Sequence, residues 1–489
     1  MKITLLSDGI NKTYVQSLCM AFFHGIKFPQ NEEENDDGLE LTVFAETVNG
    51  QICCSVTLKL QEKIFQKDHL YIPGEYESEQ RAMKTAVGQA LYKACNQATQ
   101  RDIEWGILTG IRPSKVCAEL LSNHSENEAY GILVEKYFLS TTKAKLVIDV
   151  AKNENLIMSK TNDETCSIYI SIPFCPSRCT YCSFISYAGK KLFDLIPSYV
   201  ERLLADIKKI FALTKEVGLT ISCVYIGGGT PTILNESQLE AVLGAIHSSV
   251  NVDTLDEFTL EGGRPDTITE AKLQIAKKYG ITRISVNPQT LNDTVLEKIG
   301  RKHSANDFFK AYDIVSKSGV KVINTDLIAG LDGDSFDTFK ATVDKIIELS
   351  PENVTVHTFC VKKSAQILKD DEEIYEKEGA IAQNSVNYAY EKLLSNGYSP
   401  YYMYRQKNTV GNLENLGYSK DGYFGLYNVF MMSDAHTVFG IGAGATTKLV
   451  KHCGEKCQIS RIFSHKYPYE YLRDEQNIDE QVKEFFNRR

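Results

Sequence analysis

The period of apolar and polar positions changes along the chain. Between Thr13 and Gly25 apolar residues recur at helical spacing, and the runs LELTVFAET and QICCSVTLKL then alternate as half-buried strands do. Helical patterns continue to about Met158, so residues 1–165 are expected to form an N-terminal α+β accessory domain. From Cys166 the pattern becomes short apolar runs separated by longer amphipathic stretches. The runs are SIYISI from Ser167, SCVYIGG from Ser222, EFTLEG from Glu257, RISVNPQ from Arg283, VINTDLIAG from Val322 and NVTVHTF from Asn353. Six β-α units in succession predict an α/β fold with a parallel sheet. Closed or partly closed, that sheet is a partial TIM-like (β/α)6 barrel over residues 166–398, with its chemistry at the carboxyl ends of the strands. Residues 399–489 are rich in Tyr, Gly and Asn, too glycine-rich for simple helices, and are expected to cap the barrel.

Composition narrows the class. A chain of 489 residues exceeds the size of one hydrophobic core, so two or three domains are expected. Its 43% hydrophobic and 24% charged residues are ordinary for a globular protein, and no stretch is long and apolar enough to span a membrane. The start, MKITLLSDGINKTY, lacks the pattern of a secretory leader, which suggests a cytoplasmic location. Thirteen cysteines, an odd number, argue for reduced thiols and a few metal ligands rather than a disulfide framework. The net charge of -9 speaks against nucleic acid as a partner, and the acidic run NEEENDD from Asn31 is expected to be a solvated loop. The segment WGILTGIRPSKV holds the single Trp and is expected to be a packed turn and helix start, with Arg112 just before Pro113.

The segment IPFCPSRCTYCSF places Cys175, Cys179 and Cys182 in C-x3-C-x2-C spacing directly after the first barrel strand. Three thiolates in a short loop can bind three irons of a [4Fe-4S] cubane and leave the fourth iron open. An open iron suits S-adenosylmethionine (SAM), whose amino and carboxylate groups can chelate it. A zinc site or free thiols are the alternatives, although the loop has no His and no fourth Cys. Cys453 and Cys457, beside His452, form a lone C-x3-C pair and read as incidental thiols.

The second strand ends in IGGGTPT, where glycines let main-chain groups approach a ligand. Glu261 ends the third strand, Gln289 the fourth, Asp326 lies in the fifth and Arg301 follows in a helical connection. Such residues suit a polar ligand, or else hydrogen-bond the barrel rim. His357 reads as a rim or core residue. In YRQKN, Arg405, Lys407 and Asn408 are candidate carboxylate contacts, with Asn412, Asn415 and His436 nearby in sequence; the alternative is a capping loop with exposed charges.

In order, YISIPFCPSRCTYCSF, YIGGGTPT, EGGRPDT, RISVNPQTLNDTVLEKIGRKH and NTDLIAGLDG resemble the oxygen-independent coproporphyrinogen III oxidases, which are radical SAM proteins. The first domain, WGILTGIRPSKV and YRQKNTVGNLENLGY resemble the HemZ branch of that family, called coproporphyrinogen dehydrogenase. The resemblance implies a radical SAM barrel, the cluster, and one or two SAM molecules. It assigns SAM contacts to Tyr169, Tyr181, Gly228, Gly229, Thr230, Glu261, Gln289, Arg301, Asp326 and Cys360. It also implies a low-potential electron donor such as flavodoxin or ferredoxin, and a tetrapyrrole substrate whose propionates are oxidatively decarboxylated to vinyl groups, giving protoporphyrinogen IX. A haem-binding chaperone, or radical methyl transfer with haem ring opening, would use the same cluster loop.

Overall fold

The computed structural model describes every residue except 24, 29–37, 75–76, 183–186, 361–373, 407–408, 454–455 and 488–489. The NEEENDD run and the candidates Lys407 and Asn408 therefore lie outside the described residues. The chain divides into two compact units. One comprises Met1–Lys152, Glu372–Gly379 and Tyr404–Asn412; the other comprises Asn153–Asp371, Ala380–Met403 and Leu413–Arg489.

In the first unit β1 (Lys2–Leu5), β2 (Leu39–Val48), β3 (Gln51–Leu60) and β4 (Lys63–Tyr71) form a sheet in that order. β1 pairs parallel with β2 and the remaining pairs are antiparallel. Alternation turns Leu39, Leu41 and Val43 of β2, and Ile52, Cys54, Val56 and Leu58 of β3, inward. Helix Glu79–Thr99 covers this face with Ala82, Ala86, Val87, Ala90 and Leu91, and the Ser78 side chain caps its first turn.

Among the described residues the second sheet has eleven strands, and all of it but Tyr404 and Arg405 at one edge belongs to the second unit. Its centre runs through β5 (Thr165–Ile172), β6 (Thr220–Gly228), β7 (Glu257–Glu261), β8 (Arg283–Ser285), β9 (Val322–Ala329) and β10 (Asn353–Thr358), each parallel to the next. These are the six expected strands. Their near-continuous burial matches a sheet covered on both faces. Three of the connecting helices begin with reciprocal caps, Asn235 with Gln238, Ser304 with Asp307 and Ser335 with Thr338.

Among the described residues β10 does not pair with β5, so the barrel is partial. The rest of the sheet comes from the region read only as glycine-rich: β11 (Tyr398–Arg405), β12 (Glu414–Lys420), β13 (Thr437–Ile441), β14 (Thr446–Cys453) and β15 (Lys456–Phe463). β12 lies antiparallel against β10, and β13 adds a seventh parallel strand on the free side of β5. In sheet order β11 and β15 are the two edges.

Candidate functional site at the carboxyl ends of the parallel strands

The loop after β5 carries all three motif cysteines. Its backbone is tied at several points: Cys175 N donates to Tyr187 O at 3.0 Å and Thr180 N to Ile299 O at 3.0 Å. Ser177 Oγ donates to Gly300 O at 3.1 Å. Cys175 and Cys179 are buried and Cys182 is partly exposed. Among the described residues Thr230 Oγ1 donates to Cys175 Sγ at 3.3 Å and Arg264 Nη1 to Cys179 Sγ at 3.6 Å.

The end of β6 lies directly against this loop. Gly229 N donates to Ile172 O at 2.8 Å, and Gly228 takes φ 114°, a conformation L side chains rarely adopt. A Cβ on Gly229 would stand 2.6 Å from Phe174 O and 3.0 Å from Cys175 Sγ, so only glycine brings the β6 backbone this close to the cysteine loop.

Behind the loop, three tyrosines stack. Tyr169 of β5 is register partner to Tyr225 of β6, and Tyr427 of helix Leu426–Met432 lies over Tyr225 with ring centroids 4.4 Å apart. Tyr169 is 6.2 Å from Tyr225 and 6.1 Å from Tyr427. The Tyr225 hydroxyl donates to Glu261 Oε1. Burial pushes the Glu261 carboxyl up to about 7, with Asp326 adding to the rise and the Tyr225 donor opposing it.

Asp326 follows the other course. Burial disfavours its charge, but His357, Asn324 and Thr355 outweigh burial and hold the carboxyl below its ordinary range. Asn287 Nδ2 and Asn324 Nδ2 each donate to it at 2.7 Å, and His357 Nε2 stands 3.9 Å away. Gln289 has φ 70°, its N donates to Asp326 O at 3.0 Å, and its buried Oε1 has no hydrogen-bond partner among the described residues. Arg301 is buried; its Nε and Nη2 donate to Tyr181 Oη at 3.2 and 3.0 Å, and its Nη1 to Gly263 O and Asn287 O. Cys360 lies just beyond β10, after Phe359, whose N donates to Ala329 O. The structure thus places Tyr169, Tyr181, Gly228, Gly229, Thr230, Glu261, Gln289, Arg301, Asp326 and Cys360 in or near the carboxyl-end halves of β5–β10 and the loops that follow.

Other candidates are elsewhere. Arg405 is buried in the first unit, where its Nη1 donates to Leu108 O, its Nη2 to Asn412 O at 2.9 Å, and its guanidinium covers the Trp105 ring at 5.2 Å. Two of its forked donors are thus taken by main-chain carbonyls. His436 is buried near the amino end of β5, with Nε2 2.8 Å from Ser167 Oγ and its ring stacked on Phe430. Asn415 Oδ1 accepts from Thr358 N at 3.0 Å. His452 and Cys457 face each other across the β14–β15 hairpin, and the Cys453 side chain lies outside the description.

Residues 169–346 match the model of the Radical SAM superfamily. The oxygen-independent coproporphyrinogen-III oxidase-like protein HemZ of Bacillus subtilis is 32% identical over 99% of this chain and 97% of its own length. The chain belongs to the HemZ family. The heme chaperone HemW of Lactococcus lactis is 29% identical over 57% of this chain and 69% of its own. Among solved structures, coproporphyrinogen III oxidase (HemN) from Escherichia coli covers 68% of this chain and 73% of its own at a TM-score of 0.50 and 19% identity, which shows a shared fold.

The radical SAM superfamily uses a [4Fe-4S] cluster and SAM, and the site of this HemZ-family chain fits both. The fit rests on the three thiols in one loop, donors aimed at two of them, and the approach that Gly229 allows. Among the described residues no three His, Cys, Asp or Glu side chains form a set for a single metal ion. A cubane asks for a wider set, since each thiolate binds its own iron. Sequence reasoning missed Arg264, Asn287, Tyr225 and Tyr427. Arg264 lay inside EGGRPDT and Tyr225 inside YIGGGTPT, whereas nothing in the local pattern marked Tyr427.

Proposed function

We propose that the protein is a radical SAM oxidoreductase that decarboxylates the propionates of coproporphyrinogen III to vinyl groups, giving protoporphyrinogen IX. The observation that carries this reading is similarity over nearly the whole chain to a coproporphyrinogen-III oxidase-like protein. Cys175, Cys179 and Cys182 would hold the cluster; Tyr169, Tyr181, Gly228, Gly229, Thr230, Glu261, Gln289, Arg301, Asp326 and Cys360 would hold one or two SAM molecules. Bound there, the cluster and SAM would supply a 5'-deoxyadenosyl radical able to take one hydrogen from a propionate β-carbon, with the CO2 released and the remaining electron passed to an external one-electron acceptor. Asp326, held ionised by its amide donors, suits the hydroxyls or amino group of SAM. Gln289 offers a buried acceptor with no partner among the described residues. Lys407 and Asn408 are the proposed propionate contacts, and a flavodoxin or ferredoxin the proposed electron donor.

The heme chaperones among the relatives favour haem binding as a second reading. Anaerobic reconstitution followed by reductant, SAM and coproporphyrinogen III separates them by mass analysis of the tetrapyrrole. Vinyl product supports the oxidase. SAM cleavage without vinyl product, together with haem retained through desalting, transfers the assignment to the chaperone. If the oxidase reading holds, Lys407→Ala lowers turnover of coproporphyrinogen III while leaving SAM cleavage without substrate intact.

A further inference from the structure

Arg264 follows β7 in EGGRPDT and is only 3% exposed. Its Nε donates to Asp266 Oδ1 at 3.2 Å. Its Nη1 reaches Ser177 Oγ at 3.1 Å and Cys179 Sγ at 3.6 Å, both in the cysteine loop. Its Nη2 is buried and has no hydrogen-bond partner among the described residues. A guanidinium keeps its proton in proteins and presents its donors in a fixed plane, so this side chain brings a permanent charge and directed N–H donors beside the loop.

We propose that Arg264 sets the reduction potential of the cluster by donating to the Cys179 thiolate and holding positive charge next to it. Reduction adds one electron to the cluster and breaks no bond, so the reduced state carries one more negative charge. Hydrogen bonds to the sulfurs and a nearby cation favour that state and raise the potential. Asp266 offsets part of the charge from the Nε side, which leaves the directed N–H donors as the larger influence on Cys179. Lysine has the charge without the planar fork and does not replace this geometry. Arg264 acts through the thiolate and is a positioning residue. The inference goes beyond the choice of tetrapyrrole reaction, because it concerns the cluster whatever the substrate.

The test compares reconstituted wild type, Arg264→Lys and Arg264→Gln without SAM or tetrapyrrole. Each is titrated with dithionite and mediators while the reduced cluster is followed by electron paramagnetic resonance. All three should keep a full complement of iron. The Arg264→Gln potential should fall so that the reduced form is disfavoured about tenfold, about 59 mV for a one-electron couple, with a smaller fall for Arg264→Lys. Unchanged potentials in both variants overturn the proposal. Loss of iron from both variants with unchanged circular dichroism also overturns it, since Arg264 would then only support the loop. A wild-type chain that assembles no cluster overturns the cluster assignment and this proposal together.

Discussion

Glu261 binds its proton more tightly in the folded chain than in the unfolded one, because burial raises its carboxyl to about 7. Its contribution to stability is therefore complete below the ordinary carboxyl range and is lost as the pH rises toward about 7. His303 and His436, lowered to about 4 and about 3 mainly by burial, act with the opposite sign: their contribution is present above the ordinary histidine range and is lost on acidification. Comparing wild type with Glu261→Gln cancels the histidines. From about pH 5 to about pH 8 the urea-unfolding stability of the cluster-free wild type should fall, relative to the variant, by on the order of 2 kcal/mol. A constant difference across that range refutes the raised carboxyl. Arg405 gives a second prediction at this scale. Arg405→Ala removes the Trp105 contact and strips donors from the carbonyls of Leu108 and Asn412, so it should destabilise the first unit by about 3 kcal/mol without abolishing SAM cleavage. Loss of SAM cleavage with unchanged stability would return Arg405 to the active site.

The β5 loop and the β6 end depend on each other as elements. Gly229→Ala drives a methyl group into the Phe174 carbonyl and the Cys175 sulfur, and the backbone on one side has to move. Iron content after reconstitution should drop to less than about half of wild type, because the displaced loop no longer presents its thiolates together. Gly244→Ala is the matched control: it lies within helix Glu236–Ser249, its Cβ would meet Tyr279 at ordinary contact distances, and it should be neutral or slightly stabilising. Equal iron in both variants would show that the close approach is not needed. The same elements show why the sequence was legible here. The β5–β10 strands are each made by a local apolar run and joined in sequence order, so a pattern read along the chain finds them. β13 pairs with β5 across some 270 residues, and no local signal encodes that choice.

At the scale of the whole molecule, Trp105, the single Trp, is buried in the first unit beneath Arg405. Its fluorescence reports that unit, whereas far-ultraviolet circular dichroism reports both. Two units with separate cores are expected to unfold in separate steps, so the two probes should give non-coincident urea transitions, and Arg405→Ala should shift the fluorescence curve together with only that step of the dichroism curve which belongs to the first unit. Coincident curves for wild type would show one cooperative unit. The path of the chain explains why this division was not readable from composition. Glu372–Gly379 and Tyr404–Asn412 belong with the first 152 residues although they follow the barrel strands in sequence. By itself the sequence determined the chemistry and the six-strand frame: cysteine spacing needs no long-range information, and continuous apolar runs must be covered on both faces. Only the tertiary structure decided which cations face the cysteines. It buried Arg405 against backbone carbonyls and turned Arg264 toward Cys179, because a guanidinium goes where its donors find acceptors, and those acceptors come from segments far apart in the chain.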